Sequence, residues 1–359
     1  MTDRKVLIVG ASGLVGTAAA QAFIHAGWSV LTTSRRRPDL LRGDFEHQPL
    51  DLRDAEACAA FANEHIDISH VVYTAVYEMP GLIAGWSDPE QIEINDQMLQ
   101  NLLAPLTAQA KLEHVTLLQG TKAYGAAVAP MRIPARESQP RVEHPNFYWR
   151  QEDYLRAQAE REGYTFTILR PQLIVGPNHG VVMNLPPIIG VYASLCKHLD
   201  QPCGFPGGAD WVWEAVDVRL VGEACVWAAI TSAAAGETYN LTNGEVFCWR
   251  DMWPAMAASL EVDIGPDKPL SVAEFMLAHG DTWRTIADTH DLVEPELTNI
   301  LGESHFYADL CFAYGADTAP KPALVSTVKI KQAGFTATYN TEESFCFWLH
   351  DLRYRRVIP

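Results

Sequence analysis

Tyr148 and Lys122 are two side chains of this sequence that could together hold an oxygen atom that gains negative charge. A phenol donates a hydrogen bond to such an oxygen, and a nearby ammonium lowers the phenol pKa and adds positive field. Their spacing is unusual. A tyrosine used in this way ordinarily has its lysine four residues on, one turn along the same helix face. In Asn146-Phe147-Tyr148-Trp149-Arg150-Gln151-Glu152-Asp153 that position is Glu152, and the candidate lysine lies upstream in Gly120-Thr121-Lys122-Ala123-Tyr124-Gly125. A displaced lysine suggests changed chemistry. Glu152 itself reads as a partner for a helix end or an arginine rather than a base.

The reagent is suggested near the N-terminus. Gly10-Ala11-Ser12-Gly13-Leu14-Val15-Gly16 follows the apolar run Val6-Leu7-Ile8-Val9 and opens a helix-like stretch, the context that makes a glycine triplet a dinucleotide fingerprint. Gly10 permits the tight turn, Gly13 lets the backbone approach the pyrophosphate, and Gly16 allows close helix–strand packing. The helix N-terminus then offers free N–H groups to phosphate. The second strand ends in Ser34-Arg35-Arg36-Arg37, where an NAD binder would carry an acid for the ribose 2′-hydroxyl. Guanidinium forks match a 2′-phosphate, so NADPH is the expected cofactor; the competing reading is a solvated basic turn. Asp51-Leu52 after the third strand is placed along the adenine, with Asp51 accepting from its amine or, alternatively, capping the next helix. Lys122 and Tyr148 fall at the C-terminal edge of the sheet, where both could face the nicotinamide. The competing reading leaves Lys122 on the surface and packs the Tyr148 ring into the core.

The elements that must position these residues alternate. Strands are expected at Val6–Val9, Ser29–Thr33, His70–Thr74, Val115–Leu118 and Phe166–Leu169, with a further one, third in order, ending in Gln48–Asp51. Helices are expected at Leu14–Ala26 and Asp54–Glu64, with a long one opening at Asp88-Pro89 and broken near Pro105. Continuous apolar strands between helices predict an α/β, doubly wound parallel sheet of the Rossmann type. After Pro171 prolines and tryptophans interrupt the pattern. Val218–Ala234 reads as a helix returning to the first domain, and Trp249–Leu260 and Val272–His290 as helices of a smaller, mostly helical C-terminal cap. The expected division is a cofactor domain over 1–180, rejoined by 215–245, and a substrate-binding cap over 181–214 and 246–359.

Bulk properties narrow the function. The 359 residues carry 48% hydrophobic and 20% charged side chains, ordinary for a globular enzyme. With 27 basic against 44 acidic residues the formal charge is −17, which disfavours nucleic acid or an anionic membrane surface as partner. Seven scattered cysteines, never spaced Cys-x-x-Cys, fit a reducing cytoplasm and offer neither a disulfide framework nor a metal site. No apolar run is long enough to span a bilayer. Asn240-Leu241-Thr242 matches a glycosylation acceptor by chance.

With Thr121-Lys122-Ala123-Tyr124-Gly125, Pro145 to Asp153, Arg170-Pro171, Tyr239 to Phe247 and the C-terminal stretch from Val325-Ser326 to Val357-Ile358-Pro359, the chain resembles the progesterone 5β-reductase/iridoid synthase-like family of extended short-chain dehydrogenases/reductases, nearly end to end. The resemblance implies NADPH-dependent reduction of a C=C bond conjugated to a carbonyl, with hydride added to the β-carbon and the enolate oxygen held by Tyr148 and Lys122. It implies cofactor contacts from Gly10, Ser12, Gly13, Leu14, Val15, Gly16, Ser34, Arg35, Arg36, Asp51, Leu52, Thr74, Ala75, Pro171 and Ile174, no metal, a small-molecule enone as substrate, and a homodimer. Two departures concern the substrate. Ala123 stands where the family's lysine motif commonly has histidine, and Ala75 where plant members commonly have tryptophan, which should widen the pocket there. Phe147, Trp149, Trp211, Trp213 and Phe312 are candidate pocket walls. Reduction of an aldehyde or ketone, and sensing of NADPH without turnover, are the alternatives; an epimerase with tightly held NAD fits Ser34-Arg35-Arg36 poorly.

Overall fold

The computed structural model describes residues 4–81, 84–126 and 128–359, and the chain divides into two compact units. The first comprises residues up to Gln172 together with Val218–Leu241 and Val325–Ala337; the second comprises Leu173–Asp217, Thr242–Leu324 and Thr338–Pro359. The first boundary thus falls at 172 rather than 180. Residues 325–337, expected in the cap, pack with the first unit.

In the first unit seven strands form one parallel sheet. They are β1 (Lys5–Val9), β2 (Ser29–Ser34), β3 (Glu46–Pro49), β4 (His70–Tyr73), β5 (His114–Leu118), β6 (Thr165–Pro171) and β7 (Glu237–Leu241), in the spatial order β7-β6-β5-β4-β1-β2-β3. Leu7 sits between Leu31 and Val71, so the most apolar strand is an interior one. The order reverses between β1 and β4, the switch point at which such sheets open a ligand crevice beyond their carboxyl ends. Side chains alternate across the sheet. Leu7, Val9, Val71, Tyr73, Val115 and Leu117 meet α2 (Ala55–Glu64), α3 (Pro89–Gln109) and α4 (Phe147–Glu162). The other face is covered by α1 (Leu14–His25), which packs along α5 (Val218–Ile230). A Cβ on Gly222 would lie 2.6 Å from the carbonyl oxygen of Ala18, so these two helices meet almost backbone to backbone.

Several expectations are corrected. The third strand, Glu46–Pro49, ends two residues earlier than read. The long helix runs through Pro105 to Gln109 instead of breaking there. Proline forfeits one hydrogen bond, but Leu102, Leu103 and Leu106 are wholly buried, and that burial holds the last turns. The returning helix stops at Ile230 and is followed by a short 3-10 turn, Ser232–Ala234. Strand β7 was hidden because two of its five residues, Thr238 and Asn240, are polar yet buried. Asn240 has no exposed surface, and its amide meets Tyr124 Oη and the carbonyls of Ala135 and Ser326, so the folded chain does not present it for glycosylation.

The second unit pairs Leu173–Val175 with Ala215–Asp217 and Phe247–Cys248 with Val212–Trp213. Its helices include Pro186–His198, Trp249–Ser259 and Thr341–Tyr354. The helix expected over Val272–His290 is two, Val272–Ala278 and Gly280–His290, parted at His279. Phe312, expected to wall a pocket, is core here, edge-on to Phe205, Trp249 and Trp253. Trp211 and Trp213 lie ring against ring, centroids 4.5 Å apart. All seven cysteines are free. Among the described residues no helix is long and apolar enough to cross a membrane.

Candidate active site

The site is built at the carboxyl ends of β1, β2, β4 and β5. After β1 the chain turns at Gly10, whose φ of +83° only glycine takes up readily. Gly10 N donates to Thr33 O at 2.8 Å and Ala11 N to the same oxygen at 3.2 Å, hanging the turn on the end of β2. There is no room for a side chain at Gly10 or Gly16. A Cβ on Gly10 would lie 2.8 Å from Ala75 N, and one on Gly16 would lie 2.2 Å from Gly10 O. Helix α1 then starts at Leu14 with Gly13 as its N-cap and no side chain capping it. The first N–H groups are therefore left for a ligand, and Ser12, Gly13, Leu14 and Val15 are all half-buried around them. This bare, positively polarised cradle fits a dinucleotide pyrophosphate.

Of the other expected cofactor residues, Thr74 and Ala75 lie against that turn. Ser34 closes β2 with its hydroxyl donating to Arg36 O at 2.6 Å, and Arg35 and Arg36 are exposed. Thr74, at the end of β4, donates to Val9 O at 2.7 Å, and Ala75 packs on Gly10. Leu52 is buried and its carbonyl accepts from Asn101 at 2.9 Å. Asp51 does not cap α2; Asp54 does, accepting from Ala57 N at 3.0 Å. The Asp51 carboxylate is instead clasped by Arg53, with Nη2 at 2.6 Å from Oδ2, which holds it down to about 2, and the Arg35 charge pulls the same way. Pro171 closes β6, and its carbonyl lies 3.6 Å from where Gly120 would carry a Cβ. Ile174 belongs to the second unit, opposite Val216.

Lys122 stands on a 3-10 turn, Thr121–Tyr124, directly after β5. Tyr148 opens α4, whose N-cap Asn146 accepts from Tyr148 N at 3.0 Å and donates to Lys122 O at 3.1 Å. One asparagine thus ties the helix carrying the phenol to the turn carrying the amine. The Tyr148 hydroxyl oxygen would lie 3.6 Å from a Cβ on Gly120. The ring of Tyr148 is buried against Phe147, edge to face at 4.7 Å. Lys122 is not a surface lysine: its side chain is 18% exposed, with Nζ 3.2 Å above the Trp86 ring centre and 4.0 Å from Glu78 Oε1.

The electrostatics differ from the expected lysine-activated phenol. Burial, with the Glu78 carboxylate adding to it, raises the Tyr148 phenol well above its usual range; the cation that opposes this is Arg170. The Lys122 ammonium is pushed down to about 7 by burial, against the pull of Glu78. Tyr148 is therefore a fully protonated donor at neutral pH, and the charge of Lys122 is the variable one. Glu152 pairs with Arg170 at 3.0 Å and with Arg156 at 2.9 Å, as an arginine partner should.

The sequence reading did not pick out Glu78, Trp86 or Gln119, and quoted Arg170 only as part of a match. Arg170 followed by proline at a strand end was a usable signal. For Glu78, in an irregular segment remote from Lys122 along the chain, there was none. Among the described residues no three His, Cys, Asp or Glu side chains gather as metal ligands.

Residues 6–242 match the sequence profile described as the NAD dependent epimerase/dehydratase family, about two-thirds of the chain. The chain belongs to that family. Along nearly its whole length it is similar to the (S)-8-oxocitronellyl enol synthase of Antirrhinum majus, 29% identical over 375 residues that cover 98% of this chain and 92% of that protein. It is similar also to the 3-oxo-Delta(4,5)-steroid 5-beta-reductase of Arabidopsis thaliana, 28% identical over 378 residues covering 99% and 94%. The resemblance expected from the tyrosine and lysine motifs is thus found end to end. In three dimensions the chain is similar to the Bordetella bronchiseptica enzyme WbmH solved with NAD+, with a TM-score of 0.66, 16% identity and 98% of each chain covered. That last likeness concerns the fold alone.

Proposed function

We propose that this protein is an oxidoreductase that reduces the C=C bond of enones or enals, using NADPH. The observation that carries the reading is the placement of two oxygen donors, a buried phenol at the start of α4 and a half-buried amine on the turn after β5, joined through Asn146. In 1,4-reduction the substrate oxygen becomes an enolate. Donors preorganised in a dry site stabilise such an oxygen strongly, because they need no reorientation when the charge appears. Tyr148, kept protonated by its surroundings, gives the hydrogen bond, and Lys122 adds field when it is charged.

The reduced nicotinamide, when bound, would supply the hydride that the β-carbon takes up, and the α-carbon of the enolate then takes a proton from solvent to give the saturated carbonyl. The glycine turn and the open start of α1 would hold its pyrophosphate, with Arg35 and Arg36 beside the ribose. The acid a NAD binder uses there is replaced by Ser34 and two exposed guanidinium groups, which supports NADPH over NADH. Because the enolate keeps the oxygen unprotonated until release, no group need transfer a proton to that oxygen. This separates the reading from carbonyl reduction, where the phenol must give its proton up.

The deciding experiment is product analysis after incubation with NADPH and a small cyclic enone. A saturated ketone, lost in Tyr148→Phe, is the expected outcome. An allylic alcohol would move the assignment to carbonyl reduction, and NADPH binding with neither product across an enone panel would remove the enzyme reading.

A further inference from the structure

We propose that Glu78 is a positioning residue whose carboxylate keeps both oxygen donors of the site, Lys122 and Tyr148, in their proton-bearing forms; this deepens the enone-reductase reading and rests on it. The segment after β4 that carries Glu78 is irregular but firmly anchored. Two fully buried side chains of α3 hold it on either side: Asn95 bonds both the N–H and the carbonyl of Tyr77 at 2.8 Å, and Gln91 accepts from Met79 N at 2.7 Å. Glu78 is fixed between them. Its Oε2 accepts from Trp86 Nε1 at 3.1 Å, with Gln91 Nε2 at 3.5 Å, and its Oε1 stands 4.0 Å from Lys122 Nζ. The Trp86 ring lies flat against the same ammonium, at 3.2 Å from Nζ to the ring centre. The lysine thus has a negative carboxylate and the negative face of an indole on the same side.

The other polar and charged groups around this cluster are Tyr148 and Asn146 at the start of α4, with His144 in contact with Asn146, and Arg170 from β6, which acts on Tyr148. Among the described residues none of these supplies Lys122 with a counter-charge, and the carboxylate that acts on it is Glu78. Burial drives the lysine toward neutrality and Glu78 opposes it, while the same carboxylate disfavours a phenolate at Tyr148. A neutral amine loses its field and a phenolate loses its donor, so both effects preserve the oxygen-binding form.

The test is the pH dependence of Lys122 acylation by acetic anhydride, followed by peptide mass spectrometry, in the full-length wild type, Glu78→Gln and Glu78→Asp. Glutamine keeps the shape and the bond from Trp86. The midpoint should fall by about one pH unit or more in Glu78→Gln, a tenfold change in the ratio of charged to neutral amine, and stay within about half a unit of wild type in Glu78→Asp. The alkaline limb of the enone-reduction rate should move with it. An unchanged midpoint in folded Glu78→Gln, or an equal fall in Glu78→Asp, overturns the proposal. Because labelling needs no turnover, failure of the wild type to reduce any enone would overturn the reading of the reaction and leave the labelling to decide Glu78.

Discussion

The side-chain amide of Gln119 donates to the main-chain carbonyl of Tyr148 at 3.1 Å. The orientation of that amide is set by its other end, where Oε1 accepts from Arg170 Nε at 3.0 Å, and Arg170 is in turn paired with the buried Glu152 carboxylate. The first and second turns of α4 are thereby held from the ends of β5 and β6. Gln119→Leu conserves bulk but leaves the guanidinium short of a buried acceptor, which should cost about 1–3 kcal/mol of stability. If the network positions Tyr148, kcat should fall while NADPH affinity stays near wild type; urea unfolding and steady-state kinetics check the two parts.

Tyr148→Phe removes one donor to the developing oxyanion and nothing else of comparable size. The expected loss is about 2.7–4 kcal/mol of transition-state stabilisation, roughly a hundred- to thousandfold in kcat. NADPH binding, followed by nicotinamide fluorescence, should be nearly unchanged.

Arg35→Ala and Arg36→Ala test cofactor choice. Each charge-assisted hydrogen bond lost is worth about 1.5–3 kcal/mol, so the Kd for NADPH should rise roughly ten- to a hundredfold per residue that contacts the 2′-phosphate. The Kd for NADH should move little. Equal weakening of both cofactors would return Arg35 and Arg36 to an ordinary solvated turn.

Gly16→Ala places a methyl group 2.2 Å from the Gly10 carbonyl oxygen, and backbone cannot move aside as a side-chain tip can. Overpacking of this kind should cost about 1–3 kcal/mol and displace the turn that receives the pyrophosphate. A lowered Tm together with lost affinity for both NADPH and NADH is expected.

At the opposite, amino-terminal edge of the sheet, His70 and His114 are buried on neighbouring strands, their rings 6.4 Å apart. Burial pushes His114 down to about 3, with His70 adding to it, and lowers His70 as well. As pH drops below 6.5 the unfolded chain takes up protons that the folded chain refuses, so stability is present above 6.5 and declines toward pH 3. His114→Phe should flatten that slope in urea midpoints measured between those values.

Much of the fold was legible because its signals are local. The strand–glycine–helix order of Val6 to Gly16 and the buried apolar runs that follow allow few alternatives to a parallel, doubly wound sheet. What escaped was decided by burial. Strand β7 was masked by polar residues whose partners are remote in sequence, and α3 survived Pro105 because its last turns are anchored in the core. Asp51 lost its helix-capping alternative to Asp54, a contest between two acids three residues apart that spacing alone does not resolve.

The sequence by itself determined the glycine turn after β1, the basic end of β2 and the residue types of the two proposed oxygen donors, since each depends on residue type within a short stretch. Their protonation was decided only by the tertiary structure. A pKa answers to burial and to charges within a few ångströms, and for Lys122 those are set by an indole and a carboxylate delivered from the segment after β4. Tyr148 owes its raised phenol to the same packing, with Arg170, from β6, as the opposing cation.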